Sequence, residues 1–321
     1  MHPFRFSFNI FGLTTKEAFA AECREAEALG YDAVFSADHI GMAAPFPVLI
    51  AAAEATSRLA VGTLVLNVPF WTAALLAREI ATTDILTEGR LIVGLGSGHM
   101  KWEFDDAGIA WQPFGERVAA LEEMIGDLER YFRGHLQPRS GAHPLPLPVQ
   151  REGFGGSGPP LLVGGTGERV LRIAARHAQI VGVAGVFQVK GRPPGTFRLA
   201  TAAEADERVS YAREAAGPRA DQVEWHLLVQ AVIVTDDRRA AAAQLLGEHA
   251  RHAEDSDADL GEHEMLTIDE ALDTPYLLIG TVDEIAEQLR RGRQRWGFSF
   301  VTVHEPYMRA FAPVIERLRG E

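Results

Sequence analysis

The chain has 321 residues, 47% of them hydrophobic and 23% charged, a balance that excludes a disordered chain because there is enough apolar surface to build a core. Its formal charge of −13, from 31 Lys and Arg against 44 Asp and Glu, repels phosphate backbones and anionic lipid, so nucleic acid and membrane surfaces are excluded as partners unless a local basic patch exists. No apolar run is long enough to span a bilayer, and the one cysteine, Cys23, can build neither an internal disulfide nor a metal centre by itself.

The N-terminus, Met1-His2-Pro3-Phe4-Arg5, has no long apolar segment and no small-residue cleavage site, so a cytoplasmic location is expected. Residues 4–10 then read as a strand, and Thr14 or Thr15 caps a helix to Leu29 that Gly30 closes. Residues 33–35 form a short buried strand ending in Ser36-Ala37-Asp38-His39, followed by a helix near 46–57. Residues 59–67 are the next strand and 72–86 the next helix. Residues 91–95 are a strand running into Gly96-Ser97-Gly98-His99, and 116–133 a strongly amphipathic helix.

A loop at about 134–160 carries six prolines and a glycine-rich stretch; it reads as an insertion, because the alternation resumes unchanged after it. Strands follow at 161–163, 179–183, 223–234 and 299–303, with helices at 168–176, 202–216, 238–251, 282–295 and 310–319. The basic run Arg290 to Arg295 ends a helical pattern, where cations complement the helix dipole.

Eight strands alternating with helices predict an α/β fold, a (β/α)8 TIM barrel forming a single domain over 1–321. The alternative is a doubly wound open sheet with an appended C-terminal part; the strand count favours the barrel. Such a barrel keeps its active site at the C-terminal ends of its strands. Asn9, Asp38-His39, Asn67, Ser97-Gly98-His99 and Gly164-Gly165-Thr166-Gly167 all fall there. Asp38 either supports a turn or belongs to a site, and His39 and His99 are either loop residues or proton carriers, since imidazole titrates near neutral pH. Gly94-Leu95-Gly96-Ser97-Gly98 lacks the dinucleotide-binding spacing, and its glycines would let a flat ring or a phosphate tail approach the backbone. Gly164-Gly165-Thr166-Gly167 lies between a strand and a helix start, the place for a phosphate or for an ordinary turn.

Other motifs fail. Asp255 to Asp259 begins like a calcium loop, but Leu260 and Leu266 stand where glycine and glutamate are needed, so a solvated acidic loop is expected. His249 and His252 lack the glutamate of a zinc-protease helix, and no nucleophile elbow is present. Cys23 reads as a packed thiol. No metal site is expected.

Three stretches carry a resemblance: Gly62-Thr63-Leu64-Val65-Leu66; Ala77-Arg78-Glu79-Ile80-Ala81-Thr82-Thr83-Asp84; and Glu88-Gly89-Arg90 running to Gly98. With Asp38-His39, Leu162-Val163-Gly164-Gly165 and Ile279-Gly280-Thr281, they resemble the bacterial luciferase-like superfamily, TIM barrels that use FMN or the deazaflavin coenzyme F-420. The ending Val301-Thr302-Val303-His304-Glu305-Pro306 resembles its deazaflavin-dependent oxidoreductase branch.

The resemblance implies that Asp38 and His39 lie beside the redox ring, with Leu64-Val65 forming a non-prolyl cis bulge behind it. It further implies that Asn67, Ser97 and Gly98 line the cofactor channel and that Gly164, Gly165 and Thr166 hold the phosphate. Two places depart from the deazaflavin-dependent glucose-6-phosphate dehydrogenases, which carry a Trp shortly after Asp-His and a Glu after the glycine run. Here Ile40-Gly41-Met42-Ala43 and His99 stand there, which puts glucose 6-phosphate in doubt.

The expected function is an oxidoreductase moving a hydride between coenzyme F-420 and an organic small-molecule substrate, with Asp38, His39 and His99 as catalytic candidates. The alternatives are an FMN-dependent monooxygenase served by a separate flavin reductase and using O2, and a non-enzymic ligand-binding barrel. The segments 134–160 and 187–197 are expected to form the substrate wall. Dimers are common in the resembled family, which leaves a homodimer open.

Overall fold

The computed structural model describes residues 2–139, 143–255 and 265–321, with the side chains of 249–255 outside that description; the acidic stretch after Asp255 and His249 and His252 therefore lie outside the described side chains. Local signals set the helices. Helix α1 (Lys16–Leu29) starts where the Thr15 hydroxyl accepts from the Ala18 N–H and stops at Gly30, whose φ of 96° few side chains tolerate. Helices α7 (Ala202–Ala216), α9 (Ile268–Asp273) and α10 (Val282–Trp296) each begin with a reciprocal Thr–Glu capping box, at Thr201, Thr267 and Thr281.

Eight parallel strands close into the expected barrel. They are β1 (Arg5–Ile10), β2 (Ala33–Ser36), β3 (Ala60–Thr63) continued by β4 (Leu66–Asn67), β5 (Leu91–Gly96), β6 (Leu161–Gly165), β7 (Ile180–Val183), β10 (Glu224–Leu228) and β13 (Phe298–His304). The pairing of β3 with β5 completes the ring. Between them lie α2 (Pro45–Ala55), α3 (Ala73–Leu86), α4 (Lys101–Ala107), α5 (Phe114–Phe132), α6 (Glu168–His177) and α7, with α10 and α11 (Met308–Leu318) completing the outer layer.

The third strand is broken by a cis peptide at Leu64-Val65. This break explains the glycine run of β5. A Cβ on Gly94 would overlap the Thr63 carbonyl, one on Gly96 would lie 2.5 Å from Val65 Cγ2, and one on Gly98 would overlap Asn67 Oδ1. The Thr63 hydroxyl also bonds both the N–H and the carbonyl of Gly94. The glycines thus admit the chain's own broken strand, a packing reason for them that the sequence reading did not see.

Inside the barrel, Phe35, Ile92, Leu162, Ile180 and Phe300 form an apolar plug. Beside it, Ser7 Oγ lies 2.5 Å from Thr302 Oγ1, which lies 2.7 Å from His226 Nε2. Burial, followed by the charge of Arg5, pushes the His226 pKa down to about 3, so this imidazole is neutral at neutral pH.

Three expectations are corrected. Residues 223–234 are two strands, β10 in the barrel and β11 (Ala231–Val234) outside it; β11 pairs with β12 (Leu277–Gly280), a strand the sequence reading left out. With α8 (Arg238–Asp255) and α9, this pair buries its own apolar cluster of Ala231, Ala242, Ala271, Leu277 and Ile279. The second missed unit is the antiparallel hairpin β8 (Val186–Gln188) and β9 (Phe197–Leu199).

Third, the described residues of the 134–160 connection, which follows α5 and precedes β6, lie on the N-terminal face. Buried Asp84 accepts from the N–H groups of Val149 and Gln150, and the Gln150 amide reaches the carbonyl of Leu91 at the start of β5. Cys23 is fully buried, and desolvation pushes its thiol up to about 12. Arg290 and Arg295 are ion-paired with Glu321 and Asp206. Among the described residues, no helix is long and apolar enough to cross a membrane, and no metal-binding cluster occurs.

Candidate active site

The C-terminal ends of the strands gather the predicted residues around one mouth. Asp38 and His39 follow β2. Asp38 Oδ2 accepts from the Asn67 N–H at 3.0 Å and from Trp71 Nε1 at 2.9 Å, so one carboxylate oxygen ties the second strand to the far side of the cis bulge. His39 Nδ1 lies 2.7 Å from Glu103 Oε1, and the same oxygen accepts from the Ile40 N–H at 3.1 Å. A carboxylate accepts, so Nδ1 carries the proton in this pair and Nε2 is the nitrogen left for a ligand. Glu103 is 1% exposed and sits in the first turn of α4.

Sequence reasoning missed Glu103. Its signal was an acid placed between two aromatic residues, Trp102 and Phe104, in the first turn of a helix. Trp71 was missed as well.

His99 packs edge-on between His39 and Phe197, with ring centroids 5.5 and 5.4 Å away. Its side chain is exposed to solvent at the strand ends. Desolvation, then the charges of His39 and Arg117, push its pKa down to about 4, so it is neutral at neutral pH. Phe197 belongs to β9, which places that part of the expected substrate wall at the mouth.

Ser97 and Gly98, with φ 73°, connect β5 to this region. Gly164 and Gly165 end β6, and Gly167 is the N-cap of α6. None of the three has a positive φ. Gly165 is required by packing: a Cβ there would lie 2.7 Å from Val170 Cγ1. Gly164 is different, with no atom closer than 3.8 Å to a built Cβ. Glu168, at the start of α6, turns back to Arg172 at 2.9 Å.

Two features fit a bound cofactor with a flat polar ring. Asn9 Oδ1, Asn67 Oδ1 and His304 Nδ1 end β1, β4 and β13 as buried polar atoms without a partner. Asn9 and His304 are register neighbours, and the interior positions on the opposite wall are small: Gly164, Gly182 and Ala184. Burial lowers the His304 pKa, keeping that ring neutral as well. Around the mouth, Phe11, Leu13, Ile40, Trp102 and Phe114 are exposed, Trp102 by 48%.

A closed parallel barrel with a polar, solvent-reachable mouth at its C-terminal end defines a class of small-molecule enzymes. The chain belongs to the luciferase-like monooxygenase family, whose model matches residues 12–299. It is 26% identical over 297 residues to the F420-dependent glucose-6-phosphate dehydrogenase of Nakamurella multipartita, covering 88% of this chain and 84% of that one. The match to the enzyme of the same name from Amycolatopsis mediterranei is 38% identical over 109 residues, 31% of this chain and 33% of the relative. The chain therefore spans about a third of the length of that relative.

An F420-dependent secondary alcohol dehydrogenase shares the fold at a TM-score of 0.71 and 16% identity, over 99% of this chain and 100% of that one. Long-chain alkane monooxygenase does so at 0.71 and 16%, over 99% and 92%. The relatives named among these matches depend on coenzyme F-420 or on flavin.

Proposed function

We propose that the protein transfers a hydride between deazaflavin coenzyme F-420 and an organic substrate, with His39 handling the accompanying proton. The observation that carries this reading is the His39–Glu103 pair: Nδ1 is held at 2.7 Å by a buried carboxylate, which fixes the ring and its tautomer and leaves Nε2 for the reacting molecule. When bound, the deazaflavin supplies the two-electron chemistry, and the barrel supplies orientation and electrostatics.

Leu64, Val65, Asn67, Ser97 and Gly98 would form the channel along the ring. Gly164, Gly165 and Thr166, ahead of the α6 N-terminus, would receive its phosphate. Asp38 holds the bulge in place through Asn67 and Trp71. His99, being neutral, contributes a hydrogen bond rather than a charge. The apolar rim of Phe11, Ile40 and Trp102 supports a substrate with an apolar body over a sugar phosphate.

The rival reading is an FMN-dependent monooxygenase with a partner reductase. It draws on the oxygenase component of flavin-dependent trigonelline monooxygenase from Acinetobacter baylyi, 32% identical over 137 residues, 39% of this chain and 38% of that one. Oxygen uptake separates the two, because a deazaflavin has carbon at position 5 and does not readily activate O2. The proposed activity predicts substrate-dependent bleaching or recovery of deazaflavin absorbance without oxygen uptake. Oxygen consumption with reduced FMN, and none of that absorbance change, would favour the monooxygenase.

A further inference from the structure

Acids in this structure commonly rest on a cation or on backbone N–H groups, as Glu224 does on Arg5 and Glu27 on the N–H groups of Ser57, Arg58 and Leu59. Glu22 rests on another acid. It is half-buried on α1, and its side chain hydrogen-bonds that of Glu305, which follows β13 at the mouth. A hydrogen bond between two carboxyl groups needs a proton on one of them, because a carboxylate can only accept.

The surroundings keep that proton on Glu22. Burial, followed by the charge of Glu305, raises its pKa above the usual carboxyl value. Arg309 on α11 acts the other way, but its Nε and Nη2 both donate to Glu25, at 2.8 and 2.7 Å. Glu25 itself raises the Glu22 pKa further, and the neighbouring Cys23 thiol, pushed up to about 12, is uncharged.

Glu305 also holds a loop. Its Oε2 accepts from the Phe11 N–H at 2.6 Å and from the Gly12 N–H at 3.1 Å. Both belong to the connection between β1 and α1. On its outer side this loop is open: Phe11 and Leu13 are half exposed, and no atom lies within 4 Å of a Cβ on Gly12. On its inner side the Phe11 ring packs edge-on against His304 at 4.8 Å. His304 Nδ1 is one of the buried strand-end atoms without a partner, so the loop covers part of the wall that a ligand would meet.

We propose that Glu22 and Glu305 form a proton-sharing latch on the loop 11–13, closed while the shared proton is present and loosened when it is lost, so that pH sets access to the His304 side of the mouth. With the proton in place, Glu22 donates to Glu305, whose carboxylate takes this donor and the two loop N–H groups and stays turned toward the loop. When the proton leaves, a donor is replaced by a second negative charge, and Glu305 turns away from the loop. The direction follows from linkage. The closed arrangement binds the proton more tightly than an open one with Glu22 in solvent, so falling pH favours closure. Each pH unit of that difference is worth about a factor of ten in the ratio of closed to open loop.

The inference rests on the reading above only in treating this mouth as the way in for a ligand; the latch itself is tested without one. The test is amide hydrogen exchange of the whole purified protein, read at Phe11 and Gly12 against an unstructured peptide of residues 8–15 at the same pH. Protection of these two amides should fall by about tenfold between about pH 5 and pH 8. Glu22→Gln, a neutral and permanent donor to Glu305, should hold protection high and level across that range. Glu305→Ala should remove it at every pH. The Phe8 amide in β1 is the internal reference and should not change.

Protection that is level with pH in wild type, that falls equally in Glu22→Gln, or that falls at Phe8 in parallel overturns the latch. Stopped-flow association of coenzyme F-420 and of FMN supplies the second readout. The association rate should rise with pH in wild type more steeply than in Glu22→Gln, and equal slopes for a ligand that binds overturn control of access. Failure of both cofactors to bind would remove the cofactor reading, while the exchange data would still decide the latch.

Discussion

The two ends of the barrel treat their polar groups in opposite ways. At the N-terminal end many charges are closed on themselves, although Ser299 Oγ and Arg293 Nε are buried there without a partner. Arg5 pairs with Glu224, Asp84 accepts from two backbone N–H groups and the Gln150 side chain, Glu27 takes the N–H groups of Ser57, Arg58 and Leu59, and Arg90 spreads over four carbonyls. At the C-terminal end Asn9, Asn67, Arg117 and His304 leave polar atoms without partners, and apolar side chains stand in solvent. The same residue types thus serve stability at one end, where a lost partner is felt by the fold. At the other end a ligand supplies the missing partner.

The sharpest way to break this contrast is at His39. His39→Ala should lower kcat by about 10²–10⁴-fold, the usual worth of a general acid–base group, while cofactor affinity and melting temperature barely move. An unchanged chemical step, read in single-turnover kinetics, would remove His39 from the mechanism.

The matching change at the closed end is Asp84→Ala. It strips three donors of their acceptor and should cost about 3 kcal/mol of stability in denaturant unfolding. Cofactor affinity should hold; a variant that binds cofactor poorly while as stable as wild type would contradict the division of labour.

Glu103→Gln should reduce kcat by about ten- to a hundredfold with little change in KM, as expected for a residue that positions another. It should also shift the pH–rate profile, a readout that a purely structural glutamate would leave alone.

The smallest expected effect is in pH dependence. His226 is neutral in the fold, with its pKa lowered from 6.5 to about 3, so the unfolded chain takes up a proton that the native state refuses. Its contribution is fully present above about pH 6.5 and is lost as the pH falls towards 3, at up to about 1.4 kcal/mol per pH unit. His226→Gln should flatten the fall of melting temperature between these limits. An equally steep fall in the variant would show that other groups govern acid lability.

Much of the fold was legible because each barrel strand is a short apolar run bounded by turn residues, and because Thr15 and Gly30 mark helix ends by their own chemistry. The strand ends also pointed to Asp38, His39, Asn67 and His99 as neighbours. Pairings that depend on tertiary placement were not legible. Nothing local joins Glu103 to His39, 64 positions away. The proline-rich segment 134–160 reads only as loop, and its place at the closed end follows from its coming after a helix and before a strand. Gly165 looked like a ligand-facing glycine, yet Val170 is what forbids a side chain there. A Gly165→Val variant would therefore test helix packing rather than phosphate binding. Gly164, with open space beside it, is the position at which a side chain would intrude on a ligand.

The most direct measurement is a side-by-side fluorescence titration of the purified protein with coenzyme F-420 and with FMN. The account predicts tighter binding of the deazaflavin, and retention of that preference in His39→Ala. Equal or tighter binding of FMN would contradict it and move the protein to the flavin monooxygenases.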